Sequence, residues 1–171
     1  VDEAIMRGSA ARHLVVRSGS GGLGSDGIEE WRQFVSDKGI PIYTTPQGRG
    51  VLPEDHEHAF LNARSTALRG ADCLLIVGTR LNFVFGHIKP QRISAQAKVI
   101  RIDIDPGEIS DSQRVDVGIV GAAKAVMSQL LDSSKTRIKA ELYAAWRADL
   151  AVVAPSKESA AEDTVSTATA P

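Results

Sequence analysis

Several apolar runs in this chain end on residues able to hold a phosphorylated ligand. The run ADCLLIV breaks into Gly78-Thr79-Arg80, and VIRIDI passes through Asp103-Ile104 to Asp105-Pro106. Arg80 carries a permanently charged planar fork that suits a diphosphate. A carboxylate at Asp103 can accept both hydroxyls of a ribose. Asp105 stands directly before a proline, a common way to open a turn. Asp103 is therefore the candidate for the ligand and Asp105 for the turn. In an open parallel α/β sheet, ligands bind outside the carboxyl ends of the strands. Gly78, Thr79, Arg80 and Asp103 would share such an edge.

An earlier turn, Gly19-Ser-Gly-Gly-Leu-Gly24, has the form G-x-G-x-x-G between an apolar run and a helical pattern. Glycines there let the backbone approach a phosphate, and a helix start attracts its negative charge. A dinucleotide fingerprint also requires an acid about 20 residues on. Here the second apolar run ends Tyr43-Thr44-Thr45, so an NAD(P) dehydrogenase is disfavoured. Two readings stay open for Gly19, Gly21 and Gly22: a turn that meets a nucleotide, or a plain structural turn. The next loop, residues 44–53, sets Arg49 between Gly48 and Gly50, a pattern suited to covering a ligand or an interface. By spacing alone Arg64 is a solvated helix residue. Ile119 or Val120 would either cover an adenine ring or form an ordinary strand end.

Other chemistry is sparse. His56 and His58 lie two apart on a loop and are expected to be solvated. His13 and His87 join no recognisable Ser-His-Asp set, and no pair of acids is spaced for general acid/base work. Cys73 is the single cysteine, which excludes an internal disulfide. Its apolar surroundings predict a buried thiol.

These residues need a frame. Strands are expected at 13–17, 40–44, 72–77, 99–104 and 115–120. Helices are expected at 26–38, 59–70, 121–131 and 136–152. Ser25 or Asp26 would cap the first of these and Gly39 would stop it. Ile138, Leu142, Ala145, Trp146 and Leu150 form the apolar stripe of the last. Such alternation predicts an α/β fold: a doubly wound, mostly parallel, Rossmann-like sheet of five to six strands with helices on both faces. The parts are the end of a preceding helix (1–9), the α/β domain (10–135), a helix (136–152), and an Ala/Ser/Thr-rich linker (153–171) toward a missing further domain. The 171 residues are 43% hydrophobic and 24% charged with net charge −1. This balance gives no general attraction to nucleic acid or to an anionic membrane. With no spanning segment or signal peptide pattern, a cytoplasmic protein is expected.

Taken in order, TTPQGRG at 44–50, GTRLNF at 78–83 and RIDIDP at 101–106 resemble a family. They are similar to the central domain of thiamin-diphosphate-dependent enzymes of the acetolactate synthase, oxalyl-CoA decarboxylase and 2-hydroxyacyl-CoA lyase group. The resemblance implies three successive α/β domains in the parent enzyme. The first binds the aminopyrimidine and carries a catalytic Glu, and the third binds the diphosphate through Mg2+ with a G-D-G…N motif. The central domain binds FAD, ADP or a CoA nucleotide in some members and nothing in others. The chain lacks the G-D-G…N motif, so it is expected to be a central domain that does not bind thiamin diphosphate or catalyse by itself. Its partners would be the pyrimidine and diphosphate domains of the same chain, within a homo-oligomer. The resemblance places a nucleotide diphosphate against Gly19 to Gly22, Arg64 and Arg80, its ribose at Asp103, and its adenine near Ile104 and Ile119. The parent would be an acetolactate synthase-like carboligase or decarboxylase. The alternatives are an oxalyl-CoA decarboxylase or 2-hydroxyacyl-CoA lyase central domain, and a free-standing nucleotide-binding module.

Overall fold

The computed structural model describes residues 1–24, 26–53, 55–80, 92–110 and 114–154. Five strands form one parallel sheet: β1 (Leu14–Ser18), β2 (Ile42–Thr44), β3 (Cys73–Val77), β4 (Lys98–Asp103) and β5 (Val117–Val120). Their spatial order is β2-β1-β3-β4-β5. Every residue of β1 and β3 is buried, because a parallel sheet covered on both faces is apolar throughout its central strands.

Period-two alternation divides these side chains between two cores. Leu14, Val16, Cys73, Leu75 and Val77 face one core. It is completed by α1 (Asp2–Ala10), α3 (Ile28–Lys38) and α6 (Ala123–Ser134), through Ile5, Trp31, Phe34 and Met127. Val15, Leu74 and Ile76 face the other core, against Ala63, Ala67, Trp146 and Leu150. That face is covered by α4 (Arg64–Gly70) and α7 (Ala144–Val153). Cys73 is buried in the first core at 1% exposure, as expected, and burial pushes its thiol up to about 12.

Local chemistry shifts some expected boundaries. Gly27, with no side-chain cap bond, occupies the N-cap of α3, and Asp26 itself sits at φ 51°. The other expected cap, Ser25, lies outside the described residues. Glu29 and Glu30 in the first turn supply the negative charge that a side-chain cap would have brought. Gly39 ends α3 at φ 59°, the left-handed stop that glycine permits. The glycine-rich turn contains a short helix, α2 (Ser20–Leu23), and another, α5 (Pro106–Ser110), follows β4. His58 is buried at 5% exposure rather than solvated. Its backbone N–H donates to His56 Nδ1 at 3.1 Å, while His56 Nε2 meets Ser36 Oγ at 3.2 Å.

The segment expected as one helix at 136–152 is a 3-10 turn (Ala140–Tyr143) leading into α7. Ala145 is exposed, off the stripe that buries Trp146 and Leu150. This segment runs beneath the amino ends of three strands. The Tyr143 hydroxyl donates to Gly8 O at 2.8 Å. The Trp146 ring stacks on His13, just before β1, with centroids 4.3 Å apart. Arg147 donates to Gly39 O at 2.7 Å, ahead of β2. A Cβ added at Gly70, ahead of β3, would stand 2.9 Å from the Trp146 ring. The sequence after residue 154, which holds most of the expected linker, lies outside the described residues. No helix among the described residues is long and apolar enough to cross a membrane.

Candidate functional site at the carboxyl edge

Strand order reverses between β1 and β3, which leave the sheet's centre in opposite directions. Ligand crevices of doubly wound sheets open at such a point. Here a cleft of about 710 Å³ lies beyond the carboxyl ends of the strands, within the range of small-molecule sites. Ser20 and Gly21 contribute from the turn after β1, and Thr45, Pro46 and Gln47 from the turn after β2. Gly78, Thr79 and Arg80 follow β3, and Asp103, Ile104 and Asp105 end or follow β4. Glu108 reaches the cleft from α5.

Packing of the turns explains their glycines. Gly78 has φ 57°, in the left-handed region. Its backbone lies so near the β1 turn that a Cβ on Gly21 would stand 2.7 Å from Gly78 Cα. The amides of this turn are engaged within the protein. Gly19 N–H donates to Val77 O at 2.9 Å, Gly21 N–H to Gly78 O at 2.9 Å, and Gly22 N–H to Gly19 O at 3.2 Å. The β2 turn closes on the same place: the Gly48 N–H donates to Thr45 Oγ1 at 3.1 Å, and Gly48 packs against Gly19. The glycines thus bring three turns together at the cleft's floor.

The expected site residues divide into two sets. Gly21, Gly78, Thr79, Arg80, Asp103 and Ile104 line the cleft, with Ile104 72% exposed. Gly19 and Gly22 stand behind its wall. Arg64 is exposed at the start of α4, outside the lining, and Ile119 is half-buried against the core. Arg64 instead lies in the field of two buried groups on the second core face. Burial first, and then Arg64, lower the Arg17 guanidinium to about 10. Burial raises the Tyr43 phenol, with Arg64 opposing.

Asp105 Oδ1 accepts from Gly107 N–H at 2.8 Å, which opens α5. Asp103 Oδ1 accepts from Asp105 N–H at 3.2 Å, and its side chain is only 11% exposed.

Two site residues escaped the sequence reading. Arg101 is fully buried below the cleft at 1% exposure. It donates to the Glu108 carboxylate and carbonyl, and to Thr79 O at 3.1 Å. Its Nη2 lies 3.6 Å from Asp103 Oδ2. Buried charge persists only when paired and hydrogen-bonded, and Arg101 is both. Glu108 also meets Arg80, whose Nε is 3.5 Å from Oε1. The available signal was a charge inside an apolar strand, two residues before Asp103 and hence on the same face.

The cleft is therefore polar. Arg80 and the β1 and β3 turns line it together with the carboxylates of Asp103, Asp105 and Glu108, the last of these paired with Arg80. An elongated ligand with an anionic part and a hydroxyl-bearing part matches that arrangement.

Comparison with known proteins gives a consistent picture. Residues 1–130 match the family described as thiamine pyrophosphate enzyme, central domain. The chain is 33% identical over 129 residues to 2-hydroxyacyl-CoA lyase 1 of Mus musculus, covering 75% of this chain and 22% of that protein. It is 33% identical over 156 residues to the acetolactate synthase large subunit of Corynebacterium glutamicum, covering 85% and 24%. The chain thus spans about a quarter of the length of these relatives. A solved structure described as a thiamin diphosphate-dependent enzyme from Mycobacterium smegmatis superposes with TM-score 0.63 at 17% identity, covering 81% of this chain and 28% of that one. At that identity the likeness concerns the fold.

Proposed function

Since the chain belongs to the thiamine pyrophosphate enzyme central-domain family, we propose that it serves as the central domain of an acetolactate synthase-like carboligase or decarboxylase, or of a 2-hydroxyacyl-CoA lyase. In that reading it is a scaffold that also offers a nucleotide shelf. The parent would be a cytoplasmic homo-oligomer whose pyrimidine and diphosphate domains complete the enzyme.

In this reading thiamin diphosphate and Mg2+ belong to the other domains of the parent. Among the described residues, no group of three or more His, Cys, Asp or Glu side chains is placed to hold a metal. No catalytic step is therefore assigned to this domain. In the parent, the thiamin cofactor would supply carbanion stabilisation from the other domains.

A nucleoside diphosphate fits this cleft. The observation that carries this reading is the convergence of four strand-end segments on one cleft at the reversal of strand order. Thr79, Arg80 and Ser20 would orient the diphosphate. Asp103 would accept from the ribose hydroxyls, and Ile104 would lie against the adenine. ADP, FAD and CoA all contain this unit.

Isothermal titration of the 171-residue chain with ADP, FAD and CoA, beside Arg80→Ala, tests the shelf. Binding of one nucleotide that weakens at least tenfold in Arg80→Ala supports it. Absence of binding by all three at millimolar concentration would leave the domain as scaffold alone.

A further inference from the structure

Glu108 divides its carboxylate between two arginines of opposite character. Arg101, on one side, is sealed at 1% exposure and donates to both the carboxylate and the carbonyl of Glu108. On the other side Arg80, 84% exposed by its side chain, meets Oε1 through Nε at 3.5 Å. Arg101 also holds Thr79 O at 3.1 Å, so the residue just before Arg80 is tied to the same buried charge. Glu108 is thereby fixed from below, while its outer oxygen occupies the cationic group that faces the cleft.

We propose that Glu108 sets the anion selectivity of this cleft by competing with an incoming phosphate group for Arg80, with Arg101 as the residue that positions Glu108. This inference rests on the nucleotide-shelf reading and deepens it. A planar carboxylate and a tetrahedral phosphate each present two oxygens that a guanidinium fork can bind. Arg80 cannot give its Nε to both at full strength. A phosphate that engages Arg80 through Nε competes with Glu108 for it. A nucleotide gains further contacts, through its ribose at Asp103 and its base at Ile104, that offset that competition. The cleft would therefore admit a nucleoside diphosphate and discriminate against free inorganic anions. Arg101 makes the competitor permanent. With its guanidinium pinned to Thr79 O and Glu108 O, the Glu108 carboxylate stays beside it rather than rotating into solvent.

The test is a double-mutant cycle on the 171-residue chain at low ionic strength, with inorganic pyrophosphate as probe. Four proteins are titrated: wild type, Glu108→Gln, Arg80→Ala and the double variant. Gln keeps the shape of Glu and an oxygen for Arg101, so the fold should persist, and circular dichroism checks this. Glu108→Gln is expected to bind pyrophosphate roughly two- to fivefold more tightly than wild type, the range an exposed ion pair allows. The gain should vanish when Arg80 is Ala. An equal gain in the Arg80→Ala background would overturn the competition and leave only the loss of a nearby negative charge. Unchanged or weaker binding in Glu108→Gln would overturn it too.

ADP is titrated in parallel to separate this inference from the reading beneath it. ADP binding with no pyrophosphate effect rejects the Glu108 role alone, and absence of both rejects the shelf as well. A measurement on the unmutated protein adds a second check. The Arg80 Nε–H resonance should shift on addition of pyrophosphate and move less at the same concentration in 0.5 M salt, roughly as screening requires. A resonance that stays in place at saturating ADP overturns the proposal.

Discussion

Gly21 and Gly78 meet backbone to backbone across the centre of the sheet's open edge. A Cβ on Gly78 would stand 2.6 Å from Gly21 Cα, and one on Gly21 would stand 2.7 Å from Gly78 Cα. Gly78 adds a positive φ of 57°. No side chain fits between these turns, and the cleft's floor depends on that closeness. Gly78→Ala should therefore cost roughly 2–5 kcal/mol of folding stability, from left-handed backbone strain and overpacking together. Gly24→Ala provides the control. A Cβ there meets only Ser20 O at 3.5 Å, and its φ of −77° suits any residue. Urea unfolding followed by Trp fluorescence should separate the two variants clearly. Equal midpoints would show that the turns relax apart.

Arg101 is expected to tolerate no simple replacement. Lysine keeps the charge but cannot fork between Thr79 O and both groups of Glu108. Arg101→Lys should cost about 1–3 kcal/mol. Arg101→Met removes the buried cation shared by Glu108 and Asp103 and leaves Glu108 only the exposed Arg80. Adding Glu108→Gln to Arg101→Met should recover part of that loss, because a poorly compensated carboxylate is then removed. Thermal unfolding of the three variants checks the order. A double variant less stable than Arg101→Met contradicts the account.

His58 makes stability fall toward acid. Burial holds its ring pKa below the ordinary value near 6.5, against the opposing pull of Glu57, while His56 and Arg147 depress it further. The unfolded chain then binds a proton more readily than the folded one. The contribution of His58 is fully present above the unfolded pKa and is lost as pH falls through it toward the depressed folded value. The melting temperature should decline between pH 7 and pH 5, and His58→Gln should flatten that decline. Identical slopes in the two proteins would place the acid sensitivity elsewhere.

Cys73 should be chemically silent until the protein opens. Its side chain is 1% exposed, and burial pushes its thiol to about 12, so thiolate is scarce at pH 8. Ellman's reagent is expected to find almost no thiol in the folded chain and one equivalent in denaturant. Rapid labelling under native conditions would mean that β3 is transiently exposed.

The frame of this domain was legible because its signals are local. Runs such as ADCLLIV and VIRIDI can be little else than strands buried on two faces, and Gly39 stops its helix as its spacing suggested. The cleft-lining residues after β3 and β4 could likewise be found, because a strand's end fixes where the next residues emerge. What escaped depends on turns of the chain that sequence periodicity does not reveal. Arg101 drew no reading, because only the short α5 after β4 brings Glu108 back to it. His58 looked solvated because nothing nearby in sequence reveals that the loop folds over it. Of the two readings open for Gly19, Gly21 and Gly22, the structural one describes their amides, which bond to Val77 O, Gly78 O and, within the turn itself, Gly19 O. Short helices of four or five residues, α2 and α5, carry too little periodicity to be read from the chain.

The segment from Tyr143 to Leu150 lies at the opposite end of the strands from the cleft. By joining Gly8, His13, Gly39 and Gly70 it locks the strand starts to one another. The sheet thus has a clamped foot and an open head. The joints at the foot share no residue with the cleft lining, so exchanges at Ser20, Arg80 or Ile104 are expected to leave them in place.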